Sequence, residues 1–313
     1  MLLLQQIVNG LMLGGVYVMV AVAFTLVIGM LNFLNFTIPA LFMISAMILW
    51  ATVSGGFGPD FQAWLDGAVA LDYQWIIGAL LAIAGAMAAS LVIERFTYRY
   101  MKTRFGDATE HALPLVSSLG FLILFEHLVI MKWGTDPLIF ISPFEDVSFQ
   151  IGTLLFGVPQ LISLGLSLLL VFILSLTLKY TRLGRALRAI AESPDTAPLM
   201  GIEVNRIVPV VYLICGVLCA VAGILFTINY KAIGPYVGEQ VAVVAIAGMV
   251  LGGLGNVWGA IAGGLLVGMI EVLSIHFFGA DMVKVPIWGL LLLILIARPT
   301  GLFGHTAIAK GKF

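Results

Sequence analysis

Two pairs of ionisable side chains lie inside long apolar runs of this sequence. Glu126 stands beside His127, and Glu271 precedes His276 in a later run. An ionised group is costly to place in a bilayer, so such pairs are candidates for a proton relay. The alternative is that both pairs lie near an interface, where water or the surrounding helices satisfy them, and we favour this alternative.

Patterns typical of an enzyme are absent from the sequence. It contains no GxxxxGK[ST] run that would hold nucleotide phosphates and no GxSxG turn that would carry a nucleophile. Its four histidines are spread along the chain and do not predict a metal site: His111, His127, His276 and His305. We therefore predict that this chain is not an enzyme and holds no catalytic residues, no metal and no cofactor.

A third group of charged residues lies in the stretch TRLGRALRAIAESPDTAPLMGI, residues 181–202. Its arginines recur at three-residue steps and share one side of a short helix: Arg182, Arg185 and Arg188. Pro194 ends that helix, Asp195 can cap a second short turn, and Gly201 can stop it. The apolar side of this helix, projecting into water, would need a partner to cover it. The simpler alternative is a basic loop that only anchors the chain.

The composition indicates which elements carry these residues. Of the 313 residues, 61% are hydrophobic and only 10% are charged, and the mean hydropathy is +1.13. A soluble chain carries about 25% charged residues, so much of this one must face lipid. Nine continuous apolar runs are predicted as spans: 7–28, 33–53, 74–93, 114–131, 154–178, 208–229, 241–254, 257–277 and 285–298. We thus predict one all-α polytopic membrane domain over residues 1–313, with about eight or nine transmembrane helices.

The distribution of positive charge predicts which loops face the cytoplasm. Twelve of the 15 Lys and Arg residues follow the third span, follow the fifth span or lie at the C-terminus. The loops assigned to the other side are rich in Asp and Glu instead. This bias predicts an N-terminus outside the cell and a cytoplasmic C-terminus. The net charge of −1 argues against nucleic acid as a partner.

The stretch 181–202 resembles the coupling loop of ABC importer permeases, in which glycine follows a helix that contains alanine and glutamate. Three other stretches resemble the branched-chain amino acid permease family: GMLNFLNFTIPALFMISA over 29–46, LGGLGNVWGAIAGG over 251–264 and RPTGLFG over 298–304. The matches cover nearly the whole chain in the family's order, so the chain is identified as a member of this family. By this resemblance residues 179–207 form the ATPase-coupling loop, with docking residues Arg182, Arg185, Arg188, Ala191, Glu192, Asp195 and Gly201.

The resemblance implies the permease subunit of an ATP-binding cassette importer in the bacterial inner membrane, which moves amino acids by alternating access. Branched-chain amino acids are the favoured solutes, and other amino acids, urea or amides and organic acids stay open. The implied partners are a second permease subunit (identical or related), two ATPase subunits that bind ATP and Mg²⁺, and a periplasmic solute-binding protein. The alternative is a proton-coupled secondary transporter or channel that acts without ATPases.

Small polar side chains within the spans are predicted to line the path: Asn32, Asn35, Thr37, Ser45, Ser117, Ser118, Asn229 and Asn256. After Asn35 and Phe36 the family commonly continues with alanine, histidine or glutamine, glycine and an acidic residue. This chain reads TIPA over 37–40 instead. Either the solute differs from a branched-chain amino acid, or the paired subunit supplies the polar wall.

The glycines of the stretch 251–264 have a physical explanation that does not depend on the family. Small residues four positions apart let helix backbones approach closely in lipid. We therefore predict helix packing for Gly252, Gly253, Gly255, Gly259 and Gly263. The first three, together with Asn256, are expected to form a broken-helix turn, which is tolerated in a membrane only where it is buried or lines a cavity.

Overall fold

A computed structural model describes residues 2–31, 34–68, 73–100, 112–140, 142, 148–151, 154–193, 196–279 and 282–303. Contacts between Cα atoms divide the chain into two compact units. Unit 1 consists of residues 1–34, 147–207 and 241–313, and unit 2 of residues 35–146 and 208–240. The single domain over 1–313 stays a prediction, and the two units are described separately.

The described residues form eleven α-helices with a few shorter elements. The helices are α1 (Leu2–Leu31), α2 (Thr37–Val53), α3 (Pro59–Ala68), α4 (Gln74–Ile93), α5 (Ala112–Trp133), α6 (Val158–Tyr180), α7 (Arg182–Glu192), α8 (Val204–Tyr230), α9 (Val237–Gly252), α10 (Val257–Phe278) and α11 (Lys284–Ala297). The shorter elements are a π-helix (Glu94–Tyr100), a 3-10 turn (Ala197–Met200) and the strands β1 (Leu138–Ile139), β2 (Ser148–Ile151), β3 (Leu154–Gly157) and β4 (Ala232–Ile233).

Each of the nine predicted runs overlaps a helix, which confirms the all-α polytopic membrane fold. Six helices among the described residues are long and apolar enough to cross a bilayer: α1, α4, α5, α6, α8 and α10. The other three, α2, α9 and α11, have 17, 16 and 14 residues. At about 1.5 Å per residue α9 is roughly 24 Å long, which is shorter than a hydrocarbon core of about 30 Å. The helix of the seventh run is therefore too short to cross the hydrocarbon core along a straight path.

The fifth predicted run, 154–178, is only partly helical. Its first four residues form strand β3, which pairs antiparallel with β2. Helix α6 begins at Val158, where Pro159 occupies the first turn. Proline is favoured at that position because its missing N–H would have no partner there in any case. The side chain of Gln5, in α1, accepts the Leu155 N–H at 3.0 Å and donates to the Leu155 carbonyl at 2.7 Å. These two bonds hold the β2–β3 hairpin against α1.

In unit 1, α1 is the central helix and packs against α6, α7 and α10. Glycine on both sides of the α1–α10 contact explains why the two backbones lie so close. A Cβ atom at Gly268 would lie 2.5 Å from Gly14 Cα, and one at Gly264 would lie 2.8 Å from Val18 Cα. Close backbone approach of this kind provides van der Waals packing in lipid, where no hydrophobic effect drives helices together.

In unit 2, α2 is buried along most of its length against α4, α5 and the part of α8 that belongs to this unit. Gly223 of α8 faces Ser45, and the rings of Phe42 and Phe226 meet edge to face with centroids 5.5 Å apart. The loops at the end of α5 and of α8 are joined by the antiparallel pair β1–β4, with Leu138 opposite Ile233. This pairing fixes the ends of the two helices relative to each other.

Candidate coupling surface and solute path

Helix α7 begins at a tight corner with α6. The Thr181 hydroxyl caps α7 by accepting the Gly184 N–H at 3.3 Å. A Cβ atom at Gly184 would overlap the backbone of Leu178, so this corner requires glycine. Arg188 then reaches back, and its Nη1 donates to the Leu178 carbonyl at 2.6 Å. One of the three predicted docking arginines therefore also satisfies the carboxyl end of α6.

The apolar side of α7 is covered, which corrects the expectation that it needs a partner. Leu187 and Ile190 are buried, and α7 packs against α6 and α1 within unit 1. The physical reason is the corner at Gly184, which folds α7 back onto its own unit. The opposite side carries Arg182, Arg185 and Glu192, all exposed, with Ala191 half-buried.

The 3-10 turn after α7 presents apolar side chains that sequence reasoning missed. Leu199 is 84% exposed and Met200 81% exposed, whereas Ala197 is buried. Gly201 ends the turn in the left-handed region at φ +78°, with its N–H bonded to the Pro198 carbonyl at 3.0 Å. The sequence signal that could have predicted these exposed side chains is the position of two apolar residues directly before the glycine that ends the turn. Pro194 and Asp195 lie outside the described residues. We term Arg182, Arg185, Leu199 and Met200 the coupling surface.

A break separates α9 from α10. Helix α9 ends at Gly252, and both Gly253 and Gly255 have positive φ angles, +113° and +79°. Asn256 then caps α10, because its Oδ1 accepts the N–H groups of Trp258 and Gly259 at 3.1 and 3.4 Å. The side chain predicted to line the path thus stabilises the first turn of a helix.

The C-terminal segment binds to this break. The N–H groups of Leu302 and Phe303 each donate to carbonyls at the end of α9, those of Leu251 and Gly252, both at 2.9 Å. The Asn256 Nδ2 donates to the Phe303 carbonyl at 2.9 Å. Two stretches that match the family separately in sequence, 251–264 and 298–304, therefore form one structure. We term residues 252–256 and 301–303 the glycine joint.

Glycines also form the contact between α9 and α10 beside the joint. A Cβ atom at Gly263 would lie 2.8 Å from the Gly248 carbonyl carbon and 2.9 Å from the Gly252 nitrogen. One at Gly252 would lie 2.9 Å from the Ala260 nitrogen and overlap the Gly259 carbonyl. Gly301, at φ +79°, approaches Gly253 closely enough that a Cβ would lie 2.7 Å from its Cα. No larger residue fits these positions without moving a backbone.

Three of the predicted path residues come together at the start of α2. The Asn35 Oδ1 accepts both the backbone N–H of Thr37, at 3.0 Å, and its hydroxyl, at 2.7 Å. The N–H of Phe36, between these two residues, donates to the Ser118 hydroxyl of α5 at 3.1 Å. All three predicted side chains, Asn35, Thr37 and Ser118, are buried. Here they hold the entry of α2 against α5.

The remaining path candidates do not join this group. Ser45 donates to the Phe42 carbonyl at 2.7 Å, Ser117 lies 3.3 Å from the Thr97 hydroxyl, and Asn229 donates to the Leu225 carbonyl at 2.7 Å. Asn32 lies outside the described residues. The described candidates all make hydrogen bonds within their own unit, and their role in lining a path stays a prediction.

The two ionisable pairs differ from each other. The Glu126 side chain is buried on the side of α5 that carries Ser118, and its Oε1 has no hydrogen-bond partner among the described protein atoms. Its neighbour His127 is exposed and bonds the Ile123 carbonyl of its own helix. In unit 1 the Tyr17 hydroxyl donates to the Glu271 carboxyl group. Neither pair forms a direct Glu–His contact among the described atoms.

Comparison with known proteins identifies the family. A family model described as branched-chain amino acid transport system / permease component matches residues 6–297. The chain belongs to this permease family. The high-affinity branched-chain amino acid transport system permease protein BraD of Pseudomonas aeruginosa is 30% identical over 98% of this permease and 97% of its own length. The corresponding protein LivH of Escherichia coli is 29% identical with the same coverage.

A more distant likeness extends beyond amino acid systems. The ribose import permease protein RbsC of Escherichia coli is 29% identical over 66% of the chain and 65% of its own length. No solved structure matches the permease. The family predicted from the sequence, the membrane fold and the function as a transmembrane permease subunit of an importer are confirmed by these relatives.

Proposed function

We propose that this permease lies in the bacterial inner membrane and supplies the translocation path of an ATP-driven amino acid importer. Its N-terminus would be periplasmic and its C-terminus cytoplasmic, as the distribution of Lys and Arg predicts. Two copies, or this chain and a related permease, would enclose the path. A periplasmic solute-binding protein would deliver the solute to the outer face.

The observation that carries the proposal is the coupling surface. Helix α7 is anchored on α1 and α6 by its own apolar side, so a force applied to its exposed side is transmitted directly to spanning helices. Exposed Leu199 and Met200 offer an apolar contact in water, which a soluble protein would otherwise not leave uncovered. The arginines beside them add positive charge around that contact. This arrangement fits a groove on an ATPase subunit that is apolar at its centre and acidic at its rim.

The mechanism then follows from two packings of the same bundle. ATP and Mg²⁺ are held by the partner ATPases, and closure of those subunits on ATP moves the coupling surface. Movement of α7 shifts α1 and α6, which opens the path outward to accept the solute. Hydrolysis restores the inward-facing packing. In this account the permease contributes no group to ATP hydrolysis, so the purified chain alone shows no ATPase activity.

Branched-chain amino acids are the proposed solutes, since that is what the names of BraD and LivH state for those proteins. In the TIPA sequence over 37–40, Ile38 stands where the family commonly has histidine or glutamine, and Ala40 where it has an acidic residue. In the structure Ile38, Pro39 and Ala40 are buried in unit 2. Under this proposal the paired subunit supplies the polar wall that these buried residues do not.

The competing function is a proton-coupled secondary transporter, which the buried Glu126 favours. The Glu126 carboxyl lies within electrostatic range of Glu239 at the start of α9, and no described cation neutralises it by an ion pair. A carboxyl group in such a position is a candidate proton carrier. Under the importer proposal Glu126 is dispensable for energy coupling.

Reconstitution separates the two functions. Vesicles containing the permease alone and vesicles containing it with ATPase subunits and binding protein are tested for uptake of labelled leucine. The importer proposal predicts uptake only in the complete vesicles with ATP inside, and no response to a proton gradient. Gradient-driven uptake by the permease alone that Glu126→Gln abolishes would instead establish the secondary transporter.

A further inference from the structure

A row of aromatic rings in unit 2 has no part in the proposed function. The rings follow one another from Trp50 and Trp133 through Phe57 and Phe61 to Trp64, with neighbouring centroids 5.3 to 6.4 Å apart. We term them the aromatic row. Trp50, Trp133 and Phe61 are half-buried, Phe57 is 36% exposed, and Trp64 at the end of the row is the most exposed at 61%. The row thus leads from the interior of unit 2 to its surface.

The elements that carry the row are held in place by specific contacts. The Trp133 Nε1 donates to the Gly56 carbonyl at 3.0 Å, which ties the end of α5 to the turn before α3. Leu65 is fully buried beneath α3, and the Gln74 Nε2 donates to the Asp66 carboxylate at 2.7 Å. Helix α3 is therefore fixed on unit 2 with Trp64 on its outer side.

The row continues an apolar side of α5. One side of this helix is buried and includes Ser118 and Leu122, whereas the other side exposes large apolar side chains, among them Leu128 and Met131, the latter 85% exposed. On a spanning helix such a side faces acyl chains, because apolar side chains there have no protein to cover them. The exposed side ends at Lys132, directly beside Phe57 and Trp133.

The length of α5 places this end at the boundary of the hydrocarbon. Its 22 residues give about 33 Å at about 1.5 Å per residue, close to a hydrocarbon core of about 30 Å. The Lys132 ammonium lies 4.8 Å from the Phe57 ring centroid and 4.7 Å from that of Trp133. Indole rings and lysine are the side chains enriched at the level of lipid headgroups, where an ammonium can meet a phosphate.

We propose that the aromatic row and Lys132 form a phospholipid headgroup seat, with α3 lying along the membrane surface. The phosphate of the lipid binds Lys132, its acyl chains follow the exposed side of α5, and Trp64 enters the headgroup region. Phospholipid fits this surface better than a soluble partner, because the row is continuous with the lipid-facing side of a spanning helix. The seat holds the loop between α2 and α4 against the bilayer. It depends on the membrane fold alone and holds whichever solute is transported.

Quenching of tryptophan emission tests the seat. The permease and its Trp64→Phe variant are placed in nanodiscs of phospholipid brominated either near the headgroup or near the chain end, and the difference between the two proteins isolates Trp64. We expect strong loss of Trp64 emission with bromine near the headgroup, weaker loss with bromine at the chain end, and little loss with aqueous iodide. Strong quenching by iodide and none by either lipid would place α3 in water and overturn the proposal.

Lipid retention provides a second measurement that does not use Trp64. Native mass spectrometry of protein released from nanodiscs counts bound phospholipid on the wild type, on Lys132→Glu and on Lys284→Glu, another exposed lysine in the described part of the chain. The seat predicts fewer phospholipids on Lys132→Glu than on the other two proteins. Equal retention on all three would show that Lys132 does not bind phosphate.

Discussion

The coupling surface and the glycine joint both belong to stretches that match the family, yet they are built in opposite ways. In the coupling surface, side chains project outward, and Leu199 and Met200 make almost no contact with the rest of the chain. In the glycine joint most contacts are made by backbone atoms, among them those of Gly252, Gly253 and Gly301, which carry no side chain. Under the proposed function the first arrangement serves a partner, whereas the second holds the fold together.

Because of this difference, mutations in the two regions can separate effects on folding from effects on coupling. Adding atoms to the joint forces backbones apart, whereas changing the coupling surface leaves the buried contacts of α7 intact. Variants of the two regions should therefore fail in different assays. The predictions below run from the largest expected effect to the smallest.

Substitution of Gly263 by valine should have the largest effect. The added side chain would overlap the Gly248 backbone, and overpacking of this kind costs about 1–3 kcal/mol or more. We expect a lower melting temperature in detergent and a reduced yield of monodisperse protein by size-exclusion chromatography. Gly289→Val is the matched control, since a Cβ there meets no atom within 4 Å. Equal melting of both variants would show that the α9–α10 contact is not tight.

Ala191→Glu or Gly201→Asp should abolish coupling and leave folding intact. Gly201 has a positive φ that non-glycine residues adopt at a cost of about 1–2 kcal/mol, which would displace the neighbouring Met200. We expect ATP-driven uptake to fall by an order of magnitude or more, while membrane insertion stays intact and the melting temperature falls by no more than a few degrees. Normal uptake by both variants would show that this loop only anchors the chain and does not couple it to an ATPase.

Asn256→Ala should weaken the joint by a smaller amount. The variant loses the cap of α10 and the bond to the Phe303 carbonyl, and loss of such a cap costs about 1 kcal/mol. A modest drop in melting temperature is expected, with faster hydrogen exchange at the first turn of α10. Ser274→Ala removes a bond within the same helix and should have little effect. A drop of the same size in both variants would exclude a special role for the cap.

Ser118→Ala should have the smallest effect of the four. It removes the single hydrogen bond accepted from the Phe36 N–H, and one bond of this kind contributes about 0.5–1.5 kcal/mol. We expect a small loss of stability and a change in the affinity for leucine if the start of α2 borders the path. Ser163→Ala, which removes a bond within α6, is the control. A change confined to stability would give Ser118 a purely structural role.

The sequence predicts the helices and the break well because each rests on local signals. Long apolar runs require helices in lipid, and the cluster around Gly253 and Gly255 supplies the conformations that end one. The contact of Asn256 with Phe303 spans 47 positions and has no local signal. Likewise, only the overlap at Gly184 reveals that α7 folds back and covers its own apolar side. The prediction that polar side chains line a path used only their residue types. In the structure the Asn35 and Thr37 side chains are hydrogen-bonded to each other, which residue type alone does not reveal.

The most direct test of the central claim is recovery of ATPase subunits with the tagged permease in mild detergent, identified by mass spectrometry. The wild type is compared with Leu199→Ser/Met200→Gln, which removes the apolar part of the coupling surface. The control is Glu203→Ser/Arg206→Gln, which removes an exposed ion pair at the nearby start of α8. Recovery of ATPase subunits with the wild type and the control, and their loss from the Leu199/Met200 variant, is the predicted result. Equal recovery with all three proteins, or with none of them, would contradict the account.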